Sequence, residues 1–134
     1  MSSPSKKKGT QAETKVVRYF NKNGIKTERK ALAGSNDEGD LRMMLVDGSE
    51  LTVEVKTGQQ TQNYNRTLME KWKRQTLVES KNSGHPAILI IVRYARKFID
   101  SEVWIPNDYG WYSPEIAGWT MMYLDEFLQE LQDM

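Results

Sequence analysis

The chain has 134 residues, 19 basic and 18 acidic, with no cysteine; that length suits one domain with a real core, and disulfides and thiolate metal sites are excluded. No apolar run approaches the roughly 20 residues of a membrane helix, and Met1 to Lys8 is polar and basic, so an intracellular protein without membrane span or secretory signal is expected. The net charge of +1 hides an asymmetry: every Lys and Arg lies within residues 1–99, while residues 100–134 hold 8 acids and no base, a pattern that hints at an anionic partner such as nucleic acid.

Residues 1–9 are rich in Ser, Lys and Pro and are expected to form a basic flexible tail, ahead of a single domain over 10–134. Thr10 to Asn23 reads as a helix, with Ala12, Val16, Val17 and Phe20 on one face and Asn23-Gly24 as its stop. Ile25 to Leu32 reads as a strand, and 33–39 as a loop of Gly, Ser, Asn and Asp. Strands over Asp40–Val46 and Glu50–Thr57 flank Asp47-Gly48, a hairpin turn signal. Gly58 to Arg66 is a polar loop, and Thr67 to Lys81 a second helix ended by Asn82-Ser83-Gly84. Ala87 to Tyr94 (AILIIVRY) is a buried central strand, and Glu102 to Ile105 another, stopped by Pro106. An aromatic stretch with Tyr109, Trp111, Tyr112 and Trp119 follows, its Trp and Met residues expected to pack in the core. A short helix over Asp125–Gln132 closes the chain. The order implies an α/β domain bordering on α+β, with helices packed on a mixed sheet of about five strands.

The informative residues are charges set against this pattern. In Glu50 to Thr57 the alternation places Leu51, Val53 and Val55 on one face and Thr52, Glu54 and Lys56 on the other. Asp40 begins the neighbouring strand and reaches the same end of the sheet. Two converging carboxylates make a hard oxygen site for Mg²⁺ or Mn²⁺, an ion that activates water and stabilises a phosphate under attack. A lysine beside it can hold a phosphate oxygen or position the water. The bland alternative is a solvated Glu–Lys pair worth less than about 1 kcal/mol.

Glu13 falls inside the apolar arc of the first helix, about 20° from Phe20 on the wheel. A carboxylate there needs a partner or serves a site. The spacing Thr10-x-x-Glu13 also fits a capping box, and the residues alone leave both accounts open.

Together these features resemble the PD-(D/E)xK nuclease superfamily, and within it the archaeal-type Holliday junction resolvases. The resemblance rests on KKKGTQAETKVVRYFNKNG with Glu13, TERKALAGSNDEGD ending in Asp40, Glu54-Val55-Lys56 within LTVEVKTG, the second helix and AILIIVRY, spanning roughly residues 8 to 106. It implies a restriction-endonuclease-like core. It implies that Asp40, Glu54 and the Val55 carbonyl bind Mg²⁺ or Mn²⁺, that Glu13 completes the acidic site directly or through water, and that Lys56 orients the water. Ser35 resembles a serine placed near the scissile phosphate. Gln75 matches a glutamine that lies near the metals in RecB-like exonucleases; Gln60, in a Q-x-x-x-Y spelling, precedes the helix and reads as loop. Gly39 stands where the family motif has proline, and the C-terminal aromatic segment is not accounted for by the core. His85, the one histidine, reads as structural.

The expected activity is metal-dependent cleavage of branched DNA, most simply of four-way junctions by a homodimer, because paired nicks suit two-fold symmetry. Lys6, Lys7, Lys8, Arg18, Arg29, Lys30 and Arg42 are the expected phosphate contacts. The alternatives are a RecB-like exonuclease, a flap or single-strand nuclease, a non-catalytic DNA-binding protein on the same fold, and a structural protein with an accidental motif.

Overall fold

The computed structural model describes residues 4–30, 40–107 and 118–134, with side chains from Gly9 onward. The elements are α1 (Pro4–Lys22), β1 (Lys26–Arg29), β2 (Leu41–Met44), β3 (Glu50–Lys56), α2 (Arg66–Ser83), β4 (Ala87–Ile91), β5 (Glu102–Pro106), β6 (Trp119–Tyr123) and α3 (Leu124–Gln132). Single 3₁₀ turns lie at Gln59–Thr61 and Phe98–Asp100.

The strands form one sheet in chain order, β1 to β6. Every pairing is antiparallel except β3 with β4. Parallel neighbours need a crossover, and α2 supplies it. Its first turn is capped by Asn65, whose side chain accepts the Leu68 N–H at 2.9 Å, and it ends on Gly84 at φ 77°. That left-handed conformation suits glycine.

Helices cover both faces. Ala12, Val16 and Phe20 of α1 and Leu124, Phe127 and Leu128 of α3 pack on Leu41, Met43, Val53, Val55, Ile88 and Ile90. On the opposite face Met69 and Trp72 of α2 pack on Leu89 and Ile91. All five residues from Leu51 to Val55 are therefore buried, although the alternation of the sequence is real. Thr52 and Glu54 face α2, where the strand would otherwise meet water.

Three expectations are revised. The first helix starts at Pro4, not Thr10, so the stretch expected as tail is helical from Pro4, and proline suits that first position because no helical N–H bond is lost there. Thr10 then lies within the helix and is not an N-cap, which removes the capping-box account of Glu13. Among the described residues the mixed sheet has six strands, one more than the roughly five expected, because Trp119–Tyr123 pairs with β5 from Pro106↔Trp119 to Glu102↔Tyr123. Of the aromatic segment, Met122 packs against the core, Met121 is exposed, and the Lys73 ammonium sits 5.6 Å from the Trp119 ring centre. Tyr109, Trp111 and Tyr112 lie outside the described residues. Among the described residues, no helix is long and apolar enough to cross a membrane.

One buried polar cluster ties the loop before α2 to β5 and to the segment after β4. Glu102 pairs with Arg93 at 3.1 Å and accepts from Tyr64 Oη and Trp104 Nε1. Burial, followed by the hydrogen bond to Glu102, raises the Tyr64 pKa. Arg93 also donates to the Thr61 and Gln62 carbonyls. Its guanidinium is thereby committed to holding the 59–65 loop against the sheet.

Candidate active site

Strand register builds the site. Leu41 pairs with Val53, and the ladder runs one step further: the Asp40 N–H donates to the Val53 carbonyl at 3.0 Å, and the Lys30 N–H donates to the Asp40 carbonyl at 3.0 Å. Lys30, Asp40 and Glu54 thus occupy neighbouring positions on adjacent strands. Asp40 Oδ2 accepts the Val55 N–H at 2.9 Å. A strand residue directs its N–H and C=O to the same neighbour. The Lys56 carbonyl is taken from the β4 side by the Val92 N–H, so the Val55 carbonyl faces the opposite side, toward Asp40.

Glu54 is the most enclosed of the expected acids, 4% exposed. Its Oε1 meets Lys56 Nζ at 3.3 Å and Gln75 Nε2 at 3.5 Å. Its Oε2 is buried and receives no hydrogen bond among the described residues. The carboxyls of Asp40 and Glu79 lie within interaction reach of it, and such contacts call for a proton or a cation between the oxygens. Burial above all, then the Asp40 charge, pushes the Glu54 pKa up to about 7 against the opposing pull of Glu79 and Lys56.

Glu13 approaches the same place from α1. It forms an ion pair with Arg29 at 3.5 Å. Its pKa is raised by burial and then by the Asp40 charge, with Arg29 opposing. Among the described residues no three Asp, Glu, His or Cys side chains converge as a metal cage. The site offers instead two carboxylates and a main-chain carbonyl.

Lys56 donates to Gln75 Oε1 at 2.9 Å. Gln75, singled out from its place on the second helix, thus reaches the expected cluster. Glu79 was not anticipated. It is fully buried and accepts from Gln75 Nε2 at 3.1 Å. The sequence carried a usable signal: Glu79 falls three residues after Thr76 and seven after Trp72, on the buried stripe of α2. That is the same misplaced-carboxylate criterion that singles out Glu13.

The other expected residues divide. Ser35 lies outside the described residues, as do the side chains of Lys6, Lys7 and Lys8. Arg18 is exposed on α1. Arg29, Lys30 and Arg42 turn their charges to neighbours within the chain. Arg29 meets Glu13, Lys30 Nζ donates to Thr52 Oγ1 at 3.0 Å, and Arg42 lies 3.3 Å from Glu28 and 3.4 Å from Glu50. His85 completes that last group, 3.3 Å from Glu50, in keeping with a structural role. Gln60 sits in the short 3₁₀ turn before α2.

Two hollows adjoin the cluster. One of about 580 Å³ is lined by Gly9 and by Val55 to Gln60. The other, about 210 Å³, has Lys15 of α1 and Arg93 to Arg96 on its walls. Thr57 and Gly58 line both. Gly58 has φ 96° with no atom near its Cβ position, so the backbone is bare where the hollows meet. Lys15, Arg18, Arg96 and Lys97 are exposed.

A mixed sheet with one parallel pair joined by a helical crossover, and helices on both faces, is an α/β fold of the restriction-endonuclease-like kind. Among solved structures it is similar to Hjc, a Holliday junction resolvase of the archaeal hyperthermophile Archaeoglobus fulgidus, with TM-score 0.50 over 87% of this chain and 89% of that one. At 14% identity the likeness is one of fold. The sequence matches no protein-family model and no curated protein.

Proposed function

We propose that this chain is a Mg²⁺- or Mn²⁺-dependent deoxyribonuclease that cuts phosphodiester bonds in branched DNA, resolving four-way junctions as a homodimer. The observation that carries the reading is the buried Glu54 Oε2, which receives no hydrogen bond among the described residues and lies against the Asp40 and Glu79 carboxyls, with Lys56 on the other oxygen. An oxygen so placed is costly unless a cation or proton meets it. Two carboxylates and a carbonyl suit a hard ion that keeps several waters.

Asp40, Glu54 and the Val55 carbonyl would hold the ion, and Glu13, whose pKa the Asp40 charge raises, would bind one of its waters. The ion would supply charge stabilisation at the phosphate and a more acidic bound water. Lys56 would place its ammonium against a non-bridging phosphate oxygen or the attacking water. Asp40, held by the Val55 N–H, keeps its carboxylate aimed without rearrangement.

The DNA strand would leave the reacting phosphate over Thr57 and Gly58 and pass between Lys15 and Arg96. Exposed Arg18 and Lys97 extend that surface. Arg29, Lys30 and Arg42, also expected as phosphate contacts, have partners within the chain, and the path over Thr57 and Gly58 does not depend on them.

The test is cleavage of labelled four-way junction, duplex, flap and single-stranded DNA with Mg²⁺, Mn²⁺ or EDTA. Paired symmetric nicks on the junction alone support resolution, and a monomer at assay concentration in light scattering counts against it. Gln75 beside Lys56 favours a second reading, a RecB-like exonuclease, which predicts progressive loss of nucleotides from ends. Junction binding without cutting under any metal would leave a DNA-binding protein on a nuclease fold.

A further inference from the structure

Lys56 has donors and no acceptor. It holds its place through two oxygens, Glu54 Oε1 at 3.3 Å and Gln75 Oε1 at 2.9 Å. The second contact exists only while the Gln75 amide presents its oxygen. A flipped amide would present NH₂ to the ammonium, and both partners would then be donors. Something must fix the amide.

Two carboxylates receive the Gln75 NH₂, Glu79 Oε1 at 3.1 Å and Glu54 Oε1 at 3.5 Å. The Glu79 contact is the shorter, and it comes from the same helix, four residues on, where side chains meet on one face. Glu79 is fully buried between α2 and the sheet, so packing limits its rotamers. A carboxyl there is expensive, and an apolar residue would continue the stripe of Met69 and Trp72. Beside its interaction with Glu54, the carboxyl has a partner of its own in Gln75, and the cost is explained if it has work to do there.

We infer that Glu79 is a positioning residue for the proposed nuclease: it orients the Gln75 amide, which in turn holds the Lys56 ammonium beside Glu54. The inference rests on the proposed function for its catalytic consequence and on geometry alone for the relay. Without the relay, Lys56 keeps only its contact with Glu54. The ammonium then swings about that one partner, and the fraction of time it spends facing the phosphate falls.

The test is a set of variants read in two ways. Glu79→Leu removes the acceptor, whereas Glu79→Gln keeps an oxygen that can still accept from Gln75. Outer partners of a reacting group are worth about 10–100-fold. Glu79→Leu should lower kcat by about that factor with KM for DNA nearly unchanged, and Glu79→Gln should restore most of the loss. Gln75→Leu should reproduce the Glu79→Leu defect, and the double variant should be no worse than either single one, as coupled residues behave. The second readout is nuclear magnetic resonance of the Lys56 ammonium and the Gln75 side-chain amide, which requires no activity. Both signals should move in Glu79→Leu and stay in Glu79→Gln.

Independent, multiplying defects, or unmoved Lys56 and Gln75 signals, would overturn the relay. If Glu79→Leu fails to fold, Gln75→Leu decides: an unchanged rate and Lys56 signal reject the inference. A protein that cuts no DNA but shows the expected resonance changes keeps the relay and loses the nuclease reading. One that cuts DNA with Glu79→Leu at full rate does the reverse.

Discussion

Asp40 Oδ2 accepts the Val55 N–H at 2.9 Å, so a side chain from the end of β2 satisfies a main-chain donor of β3. The contact aligns the acid with the strand that carries Glu54 and Lys56. It also sets the two carboxylates near enough to raise the Glu54 pKa. Structure and proposed chemistry therefore share one hydrogen bond, and substitutions at Asp40 can separate them.

Asp40→Asn retains an oxygen that can accept from Val55 but loses the charge. Folding should be little changed, and cleavage should fall by on the order of 10²–10³-fold, the usual scale for removing one electrostatic group from a reacting site. Glu54→Gln should do the same while junction binding persists. Circular dichroism, gel-shift titration and single-turnover cleavage check the three parts. Full activity in either variant would sink the site assignment.

Glu54 makes stability depend on pH when divalent ions are removed. Its folded pKa of about 7 lies above the ordinary 4.5, so the folded state holds the proton more tightly. The stabilising contribution is complete below about pH 4.5 and is lost as pH rises through 7. The span corresponds to about 3 kcal/mol, and Glu13, also raised, acts in the same direction. Urea unfolding in EDTA should show lower stability at pH 8 than at pH 5, and Glu54→Gln should flatten the difference. Saturating Mg²⁺ should shrink it as well, because the ion takes the place of the proton.

The DNA footprint can be read from salt dependence. Lys15→Ala and Arg96→Ala should each weaken junction binding uniformly and reduce the slope of log K against log salt by about 1. Arg42→Ala should change it little, because Arg42 is flanked by Glu28 and Glu50. Replacing Lys6, Lys7 and Lys8 together should flatten the slope further. An unaltered slope in Lys15→Ala and Arg96→Ala would move the DNA path elsewhere.

Arg93→Ala should destabilise the fold by about 3–5 kcal/mol, the scale for leaving one buried ionic partner alone. Glu102 is 4% exposed and would keep Tyr64 and Trp104 but lose its cation. Glu102→Gln, which removes the charge along with the pair, should cost less. Denaturant titration separates the two; equal losses would indicate that packing of Arg93, not its charge, secures the 59–65 loop.

Much of this site is legible along the chain because its signals are local. A strand alternates with period two, so Glu54 and Lys56 share a face whatever the rest of the protein does. A helix repeats every 3.6 residues, so Glu13 falls among Ala12, Val16 and Phe20, and Glu79 falls on the stripe of Trp72 and Thr76. The order of elements and the Asp40 to Glu54 hairpin follow from the same kind of evidence, as does the fold class. Other features depend on distances between segments far apart in sequence, which no periodicity encodes. Lys30 and Arg42 look like free cations until strand register brings Thr52 and Glu28 beside them. Trp119–Tyr123 becomes a strand because β5 offers a free edge, and the face of β3 that reads as half polar is sealed by α2. The same closure buries Glu54, raises its pKa and leaves Oε2 without a donor among the described residues. Local pattern thus names the acids and the lysine. Packing of α2 across β3 decides that they form an enclosed, charge-strained site and not a solvated ion pair, because burial removes the water that would otherwise screen them.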